Sequence, residues 1–259
     1  MSRPANRPAT ARLALAAVAL AALAVAGCTS GGGSRTPRAM IDRALSSAPY
    51  AAQPSIVVAR EIEFLREARE DGIFSASRRF ATADAIMHSA DGTLRDVAWL
   101  GGQRDPAQLA PWSPRAVWVS CDGKLAVSQG RFTNPRDEVG TYVTVWQRRG
   151  FDDDYRWAYN AAQLDNPQPK RIEPVEGEIV ATAFDAVQGH VADCPKADSP
   201  TPPAPPPSMA PGERAGRIAS PDGTLVWDWS YDEDGARVVE AKFFTEGRWK
   251  TVADHRWVG

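Results

Sequence analysis

The apolar residues of this 259-residue chain change period once, from about 3.6 to two, near Arg115, and that switch restricts the fold more than any other feature. Before it lies "PSIVVAREIEFLREARED" (54–71), the clearest helical stretch. At about 100° per residue, Val57, Val58, Ile62, Phe64, Leu65 and Ala68 are expected along one arc. Arg60, Glu63, Arg66, Glu67 and Glu70 fall opposite. Pro54 suits a first turn and Asp71-Gly72 a last one. Glu61 breaks the pattern, because it sits in the middle of the apolar arc. A shorter helix over Ile73–Phe80 leads into "DAIMHS" (84–89), which reads as a strand.

Beyond Arg115, "RAVWVSC", "KLAVSQGRF", "TYVTVWQRR" and "YRWAYNAAQL" alternate strictly and are separated by "DG", "TNPRDEVG" and "GFDDD". Connections this short imply antiparallel neighbours in a meander, so the fold class is α+β. "GEIVATAF" (177–184) is a further strand candidate within an extension over 171–194. Residues 195–212 then form a proline-rich connector, "PKADSPTPPAPPPSMAP" at its heart, which packs as neither helix nor strand. The final segment, 213–259, reads as three antiparallel strands, with Leu225, Trp227, Trp229 and Tyr231 on one side. It is too small to hold a core alone, and docking on the first sheet or on a partner is expected.

The N-terminus carries Arg3, Arg7 and Arg12, then an unbroken run of Ala, Leu and Val from Leu13 to Ala26. That run is too short to span a bilayer comfortably and reads as a secretory signal over 1–27. Its end, Val25-Ala26-Gly27-Cys28, resembles the lipobox of bacterial lipoproteins. The resemblance implies acylation of Cys28 (diacylglycerol and palmitate), a flexible tether over 28–37 and a position in the cell envelope facing the periplasm. Thr29 after the cysteine favours the outer membrane over the inner. Removal of 1–27 leaves 27 basic against 32 acidic side chains and no basic stripe, which argues against nucleic acid as a partner. Cys121 and Cys194 then remain. In an oxidising compartment they read as a disulfide or as two separately buried thiols.

"FATADAIMH" (80–88) and the sheet segment 110–165, with its paired "TVW" and "RW" strands, resemble the NTF2-like (cystatin-like) fold and its SnoaL-like branch. The resemblance covers about residues 50–165 and places an NTF2-like domain at 38–170. It implies N-terminal helices packed on a strongly curved antiparallel sheet around a cone-shaped cavity, with a small C-terminal meander added. Catalytic relatives carry an acidic base at the end of the first strand or on the sheet. Here the first strand ends in His88-Ser89, and the last-strand tryptophan is followed by Asn160 where relatives often have an acid.

Two functional readings follow. In the first, a non-catalytic module binds a small ligand or an envelope protein in a cavity built from Glu61, His88, Phe64, Trp99, Trp118, Phe132, Trp146, Trp157 and Asn160. In the second, an isomerase, dehydratase or cyclase uses Glu61 as base with His88 assisting. Each residue also has a structural reading: Glu61 as a partnered buried acid, His88 as a hydrogen-bonded histidine, the aromatics as core. A homodimer through the outer sheet face is a third expectation. No cofactor or metal is implied, since no His/Cys/Asp/Glu cluster has ligand spacing.

Three hexapeptides remain: "SADGTL" (89–94), "SCDGKL" (120–125) and "SPDGTL" (220–225). Asp-Gly between apolar stretches is a hairpin signal, so they read as one turn built three times or as the trace of a duplication.

Overall fold

The computed structural model describes residues 52–88, 92–150, 152–170, 186–195, 203–206 and 214–258. The signal, the tether, the candidate strand 177–184 and most of the proline-rich connector lie outside them. Among the described residues no helix is long and apolar enough to cross a membrane.

Helix α1 (Pro54–Asp71) buries Val57, Glu61, Phe64 and Ala68. Those positions are spaced four, three and four apart, so the buried stripe is narrow and runs through Glu61. Ile62 was expected on that stripe. It lies about 100° further round than Glu61 and is exposed. The helix stops at Gly72, whose φ of 92° favours glycine. A side chain there would also collide with Asp105, whose carboxylate accepts from Phe74 N (2.7 Å) at the start of α2 (Ile73–Phe80). Arg79 reaches back to Glu67 and Asp71, both at 2.7 Å, and fastens α2 against α1.

The chain then forms β1 (Ala81–His88), β2 (Leu94–Asp96) and a 3₁₀ turn (Val97–Gly102). The meander follows as β3 (Trp112–Val119), β4 (Leu125–Thr133), β5 (Val139–Gln147) and β6 (Arg156–Leu164). With β7 (Gln188–Val191) these make a seven-stranded sheet in the order β2-β1-β6-β5-β4-β3-β7. The sheet is mixed, which corrects the expectation of a purely antiparallel one. β1 runs parallel to β6, and β7 runs parallel to β3. Both parallel pairs join strands far apart in sequence, where no short turn dictates direction. Register shifts at Pro114/Ala116 and Val145/Trp146 mark bulges that bend the meander.

A second sheet holds β8 (Ala215–Ala219), β9 (Leu225–Tyr231), β10 (Arg237–Thr245) and β11 (Arg248–Trp257), in the order β11-β10-β9-β8. The three-strand expectation for 213–259 is therefore corrected to four. β8, "AGRIA", is short and half exposed, and its alternation is too weak to read.

Alternation on the meander strands sends one set of side chains toward the helices and the other toward the second sheet. Val117, Val119, Ala126, Trp146 and Trp157 join Val57, Phe64, Ala76 and Phe80 in the inner core. Trp118, Val127, Val143, Val145, Tyr159 and Ala161 join Leu225, Trp227, Trp229, Val239 and Phe243 in the outer one. The C-terminal segment thus docks on the first sheet. It covers the face through which a homodimer was expected.

Cys121 and Cys194 are joined by a disulfide, with Cα atoms 5.1 Å apart. The bond links the 120–125 turn to the segment just after β7. Next to it, Asp193 N donates to Phe244 O (3.0 Å) and so ties both to the second sheet. The turns 120–125 and 220–225 are built alike. In each the first serine's N–H reaches the leucine carbonyl at 2.9 Å, its Oγ contacts the aspartate at 2.6 Å, and the glycine has positive φ. They also face one another: Cys121 N donates to Thr224 Oγ1 (3.0 Å) and Asp122 N to Asp222 Oδ2 (2.7 Å). Burial, and then the neighbouring Asp222 charge, raises the Asp122 pKa. The sequence "SCDGKL" therefore forms half of a turn-to-turn junction between the two sheets. Of the third copy, Ser89–Asp91 lie outside the described residues.

Candidate functional site

Between α1, α2, the loop after the 3₁₀ turn and the concave sheet lies a cavity of about 430 Å³. Its walls are apolar or aromatic: Phe64, Phe74, Leu100, Trp112, Phe132, Trp146 and Trp157 among others. Ser77, Gln108, Tyr142, Thr144 and Asn160 supply the polar groups. No carboxylate, histidine, lysine or arginine lines it among the described residues.

The strands set this lining directly. β5 presents Tyr142, Thr144 and Trp146 inward, and β6 presents Asn160 and Ala162. Asn160 Nδ2 donates to Thr144 Oγ1 (2.9 Å), across the β5–β6 pair that places the two residues opposite each other. Trp157 Nε1 donates to Ser77 O (2.8 Å), so its ring serves as wall and its polar edge is satisfied by α2. Phe64 is fixed by Phe80 (centroids 5.0 Å), Trp112 (5.0 Å) and Trp146 (6.4 Å). Two glycines make room for this packing. A side chain at Gly130 would overlap the Tyr142 ring, and one at Gly140 would overlap Phe132.

Glu61 lies behind this wall and not in it. Its carboxylate accepts from Ser128 Oγ, from Tyr142 OH (2.5 Å) and from Trp146 Nε1 (3.3 Å). It is 1% exposed. Burial pushes its pKa upward, while the three donors pull the other way without cancelling the shift. The same burial, with the adjacent Glu61 charge, raises the Tyr142 phenol well above its ordinary value. The carboxylate is thus a hub holding α1 to β4 and β5.

His88 stands on the opposite face of the sheet. Its β6 neighbour is Ala161, an outer-face residue, and its Nδ1 lies 2.7 Å from Tyr159 OH. Trp229 and Tyr231 of the second sheet flank its ring at 5.2 and 5.5 Å. Burial, followed by the charges of Arg237 and Arg214, lowers its pKa to about 3. The expected Glu61–His88 pair is not formed, because the end of β1 turns His88 away from the helices.

Of the other expected cavity residues, Phe64, Phe132, Trp146, Trp157 and Asn160 line the cavity. Trp118 does not. It belongs to the outer core and stacks on His190 at 5.9 Å. Trp99 packs beside the cavity, edge-on to Phe74 at 6.1 Å, and its backbone N–H donates to Asp96 Oδ1 (3.0 Å). Reading from sequence missed Tyr142 and Thr144. Tyr142 and Thr144 share the parity of Trp146 on one strand, which was the available signal. Among the described residues no group of His, Cys, Asp and Glu side chains could hold a metal ion.

No protein-family model matches the chain, and no curated protein matches it. Solved structures similar to it include an NTF2-like protein of unknown function from Silicibacter pomeroyi, at 15% identity over 43% of this chain and 96% of that one, TM-score 0.32. A cystatin-like fold protein from Burkholderia xenovorans is similar at 14% identity over 43% and 93%, TM-score 0.30. A calcium/calmodulin-dependent kinase II association domain from Xanthomonas campestris is similar at 14% identity over 46% and 94%, TM-score 0.31.

Proposed function

We propose that this protein is an envelope lipoprotein whose α+β module holds a small, mainly apolar ligand without transforming it. The observation that carries the reading is the lining of the cavity between α1, α2 and the sheet. It is apolar with a few convergent polar groups, and among the described residues its only titratable one is Tyr142, whose burial keeps it neutral. A general base needs reach to a substrate proton, and Glu61 spends both carboxylate oxygens on Ser128, Tyr142 and Trp146. Thr144 and Asn160 would orient the ligand's polar group, and the aromatic rings would hold its body.

The reading is tested with 1-naphthol, a neutral bicyclic probe sized for the cavity, followed by native mass spectrometry and thermal shift. Saturable binding to the wild type, lost in Ala162→Trp while that variant stays folded, is the expected result. Equal binding by both proteins, or none by either, overturns it. The anchoring half is tested separately. Mass analysis of the mature N-terminus should show a lipid-modified Cys28, and Cys28→Ser should move the protein from the membrane to the soluble fraction.

A further inference from the structure

A second cavity, of about 380 Å³, opens where the start of β2 meets the second sheet. Its basic lining residues are Arg237 and Arg214, and its walls include Trp229, Tyr231 and Trp257. Arg237 is 3% exposed, yet its Nε and Nη1 have no hydrogen-bond partner among the described residues. Its contacts among the described residues include a 3.3 Å bond from Nη2 to Gln163 Oε1 and the face of Trp257 at 4.7 Å. Among the described residues no carboxylate lines the cavity. Arg214 lies over Tyr231 at 3.8 Å, and Tyr231 OH is held on Gly92 O (2.5 Å). Thr93 and Leu94, from the end of the "SADGTL" copy, complete this rim.

A guanidinium buried without a counter-charge is costly, and proteins normally supply one from a side chain or a ligand. We infer that the cavity between Arg237 and Arg214 is a binding site for a small planar organic carboxylate. Its carboxylate lies between the two guanidiniums, and its flat body lies against Trp229 and Trp257. Arginine suits this role because its planar fork matches carboxylate geometry and its own face stacks on aromatic rings. Two of these walls, Trp229 and Tyr231, also pack against His88, whose Nε2 has no hydrogen-bond partner among the described residues. The site is separate from the cavity beneath the helices and does not depend on what that cavity holds.

The probe is benzoate, with neutral benzamide and inorganic phosphate as controls, read by isothermal titration and thermal shift on the whole protein. Wild type should bind benzoate, with benzamide and phosphate at least about tenfold weaker, since a charge-assisted hydrogen bond contributes that much. Arg237→Met should raise thermal stability without ligand, as replacement of an unpaired buried charge does, and abolish benzoate binding. Arg214→Gln, at the exposed rim, should fold normally and weaken benzoate about tenfold. Ala162→Trp, which blocks the other cavity, should leave benzoate binding unchanged. Equal binding of benzoate and benzamide, preference for phosphate, or unaltered binding by Arg214→Gln would each overturn the assignment. So would loss of benzoate in Ala162→Trp.

Discussion

Glu61 offers the sharpest test of how the inner core is held. Its folded-state pKa is raised, with burial as the largest cause, so the folded protein binds its proton more tightly than the unfolded chain does. The stabilisation that this proton brings is complete below the ordinary carboxylate pKa of 4.5 and is lost as pH rises through the folded value. Within that window the loss is about 1.4 kcal/mol per pH unit. Glu61→Gln keeps the shape, and the Ser128 and Tyr142 hydroxyls can turn to accept from its amide. The variant has no proton to lose. Urea denaturation of both proteins from pH 4 to 8 gives a difference curve in which the other carboxylates, including the raised Asp122, cancel. The gap should move in favour of the variant as pH rises, then level off. Tyr142→Phe removes a 2.5 Å hydrogen bond to a charged acceptor, a loss of about 1.5–3 kcal/mol. It should also push the window to higher pH, because that bond is one of those lowering the Glu61 pKa. A flat difference curve, or one of opposite slope, would refute the account of Glu61 as a buried hub.

Other perturbations test other joints. Gly130→Ala should destabilise by about 1–3 kcal/mol, as overpacking does, because its methyl group would collide with the Ser113 carbonyl oxygen and with the Tyr142 ring; near-UV circular dichroism would register the shift. Trp227 is fully buried between the two sheets, so Trp227→Ala should cost about 3–5 kcal/mol and increase hydrogen exchange in β8–β11 before α1. Reducing the Cys121–Cys194 bond, which spans a sequence separation of 73, should lower stability by about 2–4 kcal/mol in denaturant. The Cys121→Ala/Cys194→Ala variant should show no effect of reductant.

The parts of this fold that were legible in sequence were those whose cause is local. Helix α1 announced itself by periodicity, and the oddity of Glu61 within it located the centre of the buried stripe. The β3–β6 meander followed from short turns between alternating strands. The parallel pairs β1–β6 and β3–β7 were not legible, because their partners lie far apart along the chain. The assignment of Trp118 and His88 to the cavity failed for a different reason. Alternation separates two sets of residues, but both faces of this sheet are covered, so both sets are apolar and neither declares itself inner. The same ambiguity hid the second cavity, whose components, Arg237, Arg214 and Gln163, look like ordinary surface residues until β10 and β6 meet.

One consequence of the disulfide concerns neighbours in solution more than stability. β3 is the outermost long strand on its side of the sheet, and among the described residues the only strand beyond it is β7, four exposed residues long. Strands so short are marginal alone, and an uncovered long edge is a template for another chain to pair with. By holding Cys194 to the turn that ends β3, the bond keeps β7 from peeling away. An oxidising surrounding therefore supplies this protein with its guard against edge-to-edge association, and a chain that never forms the bond presents an open edge at β3.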